Sequence, residues 1–187
     1  MSAPPSTDAF APSRQPRDLS TRLARLRVPL GFLGAVGALW LARPTWGSLA
    51  AGAAVCAMGE ALRIWAAGHL EKGREVTTSG PYRWTGHPLY LGSALIGAGM
   101  VVASRSPWVA LLAALYLGST LVAAIRSEEA GLRTKFGREY VDYRSGRAAA
   151  ASRPFSWARA RRNREHRAAV GLFAAIILLA LKIRLLL

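Results

Sequence analysis

The chain predicts an all-α fold, an integral membrane bundle of about five transmembrane helices, and three observations carry that expectation. Charged residues are nearly absent from residues 28–42, 45–59, 88–104, 107–125 and 168–181. With modest extension these runs approach the ~20 apolar residues needed to cross a bilayer core. The charges between them are lopsided. With the N-terminus taken as cytoplasmic, the inside segments hold twenty Lys and Arg and the outside turns only Arg43 and Arg105, a bias that places the long loops in the cytoplasm. Totals of 187 residues, 52% apolar content and a mean hydropathy of +0.21 would suit a soluble domain. The gathering of apolar residues into runs excludes a separate one.

The elements follow in chain order. Residues 1–18, rich in Pro, Ser and Ala without periodicity, read as a disordered cytoplasmic tail, with no apolar core of the kind a cleavable signal peptide has. Leu19, Leu23, Leu26 and Leu30 fall at helical spacing, so the first helix begins in the interface with Arg22 and Arg25 snorkelling and enters the bilayer at Val28. Arg43-Pro44-Thr45 permits only a tight antiparallel hairpin, and a second helix runs from Trp46 to His69. It carries Glu60 and Arg63 three residues apart on one face. Such a pair either snorkels to the surface or faces a polar cavity in the bundle.

A second hairpin, residues 89–104 and 107–125, closes through Arg105-Ser106-Pro107, and Gly92, Gly97 and Gly99 let its helices approach closely. It returns the chain to the cytoplasmic side at Arg126. The basic segment 153–167, with Trp157 and Arg161-Arg162, is expected along the inner surface against anionic lipid. Residues 168–187 read as a fifth, crossing helix.

The formal charge of +15 does not point to nucleic acid, because the cations flank membrane spans instead of tracking phosphates among stacking aromatics. Anionic lipid head groups are the expected counter-charge. Cys56 is the only cysteine, which excludes an intrachain disulfide and a cysteine-based metal site. His69, His87 and His166 are too scattered for a metal-ligand set.

Two stretches carry the chemistry. The loop at residues 76–92, V-T-T-S-G-P-Y-R-W-T-G-H-P-L-Y-L-G, places turn punctuation at Gly80-Pro81 and a helix-starting Pro88. Tyr82, Trp84 and Tyr90 suit an interfacial aromatic belt, but a belt requires neither His87 nor the prolines. The second stretch, R-S-E-E-A-G-L-R-T-K-F-G-R-E-Y-V-D-Y, spans residues 126–143. Glu128 and Glu129 diverge by ~100° on a helix, so that one faces a site while the other pairs with Arg126 or Arg133. Leu132, Phe136 and Tyr140 form an apolar stripe at i, i+4, i+8.

Together, G-P-Y-R-W-T-G-H-P-L-Y-L-G, a helical hairpin, E-E-A-G-L-R-T-K-F-G-R-E-Y-V-D-Y and Arg153-Pro154 resemble the isoprenylcysteine carboxyl methyltransferase family and the related membrane phospholipid methyltransferases, over about residues 63–154. The resemblance implies an all-helical membrane methyltransferase domain over residues 19–154, with 155–187 as a basic surface segment and C-terminal helix. It implies S-adenosyl-L-methionine in a cytoplasmic pocket without a Rossmann sheet, and no G-x-G-x-x-G is present. The positions it assigns to the cofactor are Tyr82, His87, Pro88, Leu89 and Tyr90, the loop residues Arg74, Glu75, Val76 and Thr77, and the carboxylate of Glu128. Arg126 and Glu129 are the implied catalytic pair. The chain departs from the family at Gly86, where an arginine usually precedes the His-Pro, unless Arg83 takes its place.

The implied reaction is methyl transfer to a lipophilic or lipidated acceptor, most like the O-methylation of an isoprenylcysteine carboxylate, with a phospholipid amine as the alternative. Sterol reductases carry a similar His-Pro-x-Tyr with an acidic helix but bind NADPH, and a non-catalytic membrane subunit would keep the scaffold alone.

Overall fold

The computed structural model describes residues 31–186, and the expectations for the tail and for the interfacial start of the first helix lie outside them. Among the described residues all regular structure is helical. Helix α1 (Gly31–Leu41) is followed by α2 (Trp46–His69), a 3-10 turn (Gly80–Arg83), α3 (Pro88–Ser104) and α4 (Pro107–Phe136). Three further helices follow, α5 (Arg138–Arg144), α6 (Trp157–Arg162) and α7 (Glu165–Leu186). By length and composition α2, α4 and α7 can each cross a membrane, and α1 and α3 are shorter apolar helices. The protein is an all-α membrane bundle.

Local chemistry sets the helix starts. Thr45 and Ser48 form a reciprocal capping box at the start of α2, satisfying two of the amides that have no intrahelical acceptor. Ser106 Oγ accepts from the Val109 amide at 3.4 Å, and Pro107 occupies the next position, where a missing N–H costs nothing. The Arg43 amide donates to Ser104 O at 2.7 Å and Ser48 Oγ to Ala103 O at 3.1 Å, so the α1/α2 and α3/α4 turns lie together at one end of the bundle.

Helices α2 and α3 pack along their length on a seam of small residues. A methyl group at Gly99 would sit 2.6 Å from Cys56 Sγ, and one at Gly92 would sit 2.7 Å from Gly59 O. Only glycine permits this approach, which is how membrane helices gain contact when lipid competes equally for apolar surface. Gly97 points the other way, against Leu117 of α4. Cys56 is fully buried in the seam and its thiol donates to Ile96 O at 3.4 Å.

Helix α7 spans the same depth. Near its start Glu165 pairs with Arg63, and near its end Lys182 Nζ donates to Leu39 O and Trp40 O at the close of α1. Leu179 and Ile183 fill a buried cluster with Ala42, Leu49 and Ala103.

One expectation needs correction. The hairpin helix does not stop at 125. At 30 residues α4 is ~45 Å long against a hydrocarbon core of ~30 Å, so its charged last third stands clear of the bilayer. The stripe Leu132–Phe136–Tyr140 is broken at Gly137, where φ is +50, and Tyr140 is buried on α5 while Phe136 is only half-buried. The basic segment packs against the end of α2. Arg159 Nε donates to Gly68 O at 2.7 Å, Asn163 Nδ2 to Ala67 O and Leu70 O at 2.9 and 3.0 Å, and Arg153 Nη1 to His69 O at 3.4 Å. These groups cap the carbonyls and the negative dipole end of α2, and Glu71 takes Arg162 at 3.3 Å. Much of the segment's charge therefore serves the protein itself.

Candidate functional site

The loop between α2 and α3 is shaped before any chemistry is placed on it. Gly80 has φ +58, and a side chain there would strike the His69 ring, so the turn demands a residue without Cβ. His69 Nδ1 lies 3.1 Å from the buried Ser79 Oγ and ties the loop to the end of α2. Pro88 opens α3 and leaves His87 at the N-cap with its ring free of capping duty.

That ring turns toward α4. His87 Nε2 donates to Glu129 Oε1 at 3.0 Å, and Arg144 Nη2 reaches the same oxygen at 3.3 Å. Tyr90 sits with its ring centroid 5.8 Å from that of His87. The bond from His87 holds the Glu129 carboxyl below its ordinary range, partial burial opposes this, and Arg144 adds to the lowering. An ionised carboxylate only accepts, so Nε2 carries the hydrogen and a neutral ring presents Nδ1 as a bare acceptor. Nδ1 is buried with no partner among the described residues, the kind of orphaned polar atom that a bound ligand satisfies.

Helix α5 completes the site. The backbone at Gly137 turns the chain back from α4 and brings Tyr143 and Arg144 against the loop. Tyr143 Oη donates to Tyr82 O at 2.8 Å and to Thr85 O at 3.4 Å, and burial pushes its phenol up to about 12, so it stays a donor. Tyr82 is buried too, and burial first and the Glu128 charge second push its phenol well up. A side chain at Gly86 would begin 3.1 Å from Arg144 Nη1. The guanidinium beside this point of the loop thus comes from α5 and not from Arg83, whose Nη2 donates to Ala151 O at 3.0 Å.

Of the residues expected from sequence, Tyr82, His87, Pro88, Leu89, Tyr90 and Glu129 converge. Val76 and Thr77 are buried in the first part of the loop, where Thr77 Oγ1 accepts from the Glu71 amide. Glu75 is paired with Arg153 at 2.5 Å, and Arg74 is exposed. Arg126 and Glu128 are exposed on α4, outside the His87–Glu129 contact, and the partner of Glu129 is Arg144, not Arg126 or Arg133. Sequence reasoning missed Tyr143 and Arg144, whose approach depends on the Gly137 break, and Glu165.

Arg63 joins this site to a second polar cluster. Its Nη1 donates to Ser93 Oγ at 2.5 Å and Leu89 O at 3.5 Å, and its Nε and Nη2 donate to Glu165 Oε2 at 3.1 and 2.8 Å. Glu60 stands 3.8 Å from the same guanidinium, with both carboxyl oxygens buried and without a hydrogen bond. The pair therefore faces the bundle interior. A cavity of about 450 Å³ between α2, α6 and α7 is lined by Glu165, Arg161, His166 and Trp157.

The described residues form an all-helical membrane bundle that gathers a histidine, a carboxylate and a guanidinium at the end away from its two tight turns. The family profile for phospholipid methyltransferases matches residues 36–139, more than half of the chain, and the protein belongs to that family of membrane methyltransferases, which includes the isoprenylcysteine carboxyl methyltransferases. Neither curated proteins nor solved structures give a match. The matched residues include His87 and Glu129 and stop short of Tyr143, Arg144 and Glu165.

Proposed function

We propose that the protein transfers a methyl group from S-adenosyl-L-methionine to a lipophilic acceptor, at a site on the cytoplasmic side of the membrane. The observation that carries the reading is the buried, unpartnered Nδ1 of His87, held in place through Nε2 by the ionised Glu129. The residues fit the cofactor: His87 Nδ1 accepts from a hydroxyl or amine, Glu129 supplies negative charge, and the Tyr90 and Tyr82 rings suit a methyl-bearing cation. S-adenosyl-L-methionine supplies an electrophilic methyl on a sulfonium. The protein's part is alignment, which alone can lower such a barrier by ~7–11 kcal/mol at best. The Lys and Arg asymmetry between the two ends supports the cytoplasmic placement.

The Glu60–Arg63–Glu165 cluster favours an amine acceptor over a carboxylate. Two carboxylates share one guanidinium, and buried charge without a partner is costly, so an ammonium entering beside Glu165 is stabilised where a carboxylate is repelled.

Calorimetry on detergent-purified protein tests the proposal. S-adenosyl-L-methionine binds saturably, His87→Ala and Glu129→Ala weaken it, and NADPH gives no heat. NADPH binding alone moves the protein to the reductases, and binding of neither ligand leaves a non-catalytic subunit.

A further inference from the structure

At the end of the bundle remote from His87, the two tight turns enclose a cleft of about 430 Å³ lined by Trp40, Arg43, Arg105, Ser106 and Trp108. The turns are pinned together by the Arg43–Ser104 backbone bond. Both guanidinium groups are exposed and, among the described residues, neither has a carboxylate partner. Every described Asp and Glu lies at Glu60 or beyond it, and those on α2, α4 and α7 sit away from the helix ends that meet here. Arg105 is moreover held in the left-handed region at φ +49, a conformation unfavourable to a residue with a Cβ. Glycine would fit there more easily, so the position retains a cation at a conformational penalty.

Three further features define the ligand. Lys182 Nζ caps the end of α1 beside Trp40 and adds a third positive charge. The start of α4 lines the cleft, and its helix dipole favours an anion. Trp40 and Trp108 are 80% and 63% exposed, and the faces leading away from them carry exposed Phe32, Leu33, Leu111 and Leu115. Exposed tryptophans at the ends of apolar helices mark the head-group level. An anion held between them therefore has acyl chains to lay along α1 and α4.

We infer that this cleft is a binding site for an anionic phospholipid of the leaflet opposite the candidate methyl-transfer site, with the lipid phosphate between Arg43 and Arg105. The ligand is a lipid and not a free anion because its chains have an apolar track to follow. It is anionic and not zwitterionic because the cleft offers no carboxylate to a choline or ethanolamine head.

The test is native mass spectrometry of the full chain released from nanodiscs of mixed phosphatidylglycerol and phosphatidylcholine. The protein retains phosphatidylglycerol at least tenfold over phosphatidylcholine, Arg43→Gln/Arg105→Gln abolishes the preference, and Arg43→Lys/Arg105→Lys restores most of it. Trp108→Ala, which leaves the charge untouched, weakens retention of both lipids. Calorimetry of S-adenosyl-L-methionine on the same variants, unchanged from the parent, shows that the far end of the bundle is intact. Equal retention of the two lipids, retention unchanged in the double Gln variant, or displacement of the lipid by millimolar inorganic phosphate would each overturn the inference.

Discussion

Arg144 Nη2 and Glu129 Oε1 lie 3.3 Å apart although they belong to different helices separated by the left-handed turn at Gly137. The contact makes α5 part of the site: the carboxylate that orients His87 is itself held from the side by a residue beyond the family's matched segment. Arg144→Ala should lower the methyl-transfer rate by about tenfold through misalignment and cost at most ~1 kcal/mol of stability, because the pair is partly exposed. Arg144→Lys keeps the charge and recovers part of the rate. Kinetics with radiolabelled donor alongside thermal melts separate the two effects.

Glu129 gives a pH-dependent signature. Its folded-state value lies below the ordinary 4.5, so the stability it contributes is fully present above 4.5 and is lost as pH falls through the lower folded value. The melting-temperature gap between the parent and Glu129→Gln should be fully open at about pH 5.5 and close below the ordinary glutamate range. A gap that persisted well below that range would contradict the assignment.

Tyr143→Phe removes one hydroxyl that bonds two loop carbonyls. It should cost ~1 kcal/mol of stability and loosen the loop, so that S-adenosyl-L-methionine affinity falls while the acceptor Michaelis constant changes little. Calorimetry and steady-state kinetics read the two quantities.

Asn163→Ala strips the carbonyls of Ala67 and Leu70 of their donor, leaving acceptors at the end of α2 unsatisfied. The expected loss is ~1–3 kcal/mol. Hydrogen exchange should localise it to the last turn of α2.

Gly99→Leu drives a side chain into Cys56 across the α2–α3 seam. Overpacking of this kind costs ~1–3 kcal/mol or more, whereas Gly118→Leu, with open space around it, should be tolerated. Unfolding of the two variants in mixed micelles makes the comparison.

The membrane helices were legible because apolar runs and their Pro, Ser and Thr starts are local signals, and α2 falls on Trp46–His69 as its pattern predicts. His87 was legible for a similar reason, since its flanking turn and Pro88 are written within a few residues. The partner of Glu129 was not. Consecutive glutamates differ only in the face they present, and the choice is made by an arginine fifteen positions on whose approach depends on the backbone at Gly137. The contacts of the basic segment with the end of α2 were hidden for a related reason: a run of arginines looks alike whether it meets lipid phosphates or the bare carbonyls of a helix end.

The seam between α2 and α3 fixes more than packing. With Gly52, Cys56 and Gly59 meeting Gly92 and Gly99 at backbone distance, neither helix can slip along the other by one residue, ~1.5 Å, without forcing a side chain into a main chain. His69 and Pro88 are therefore anchor points whose separation is gauged deep in the bilayer, and the loop strung between them can exchange side chains, and with them acceptors, without recalibrating where His87 stands.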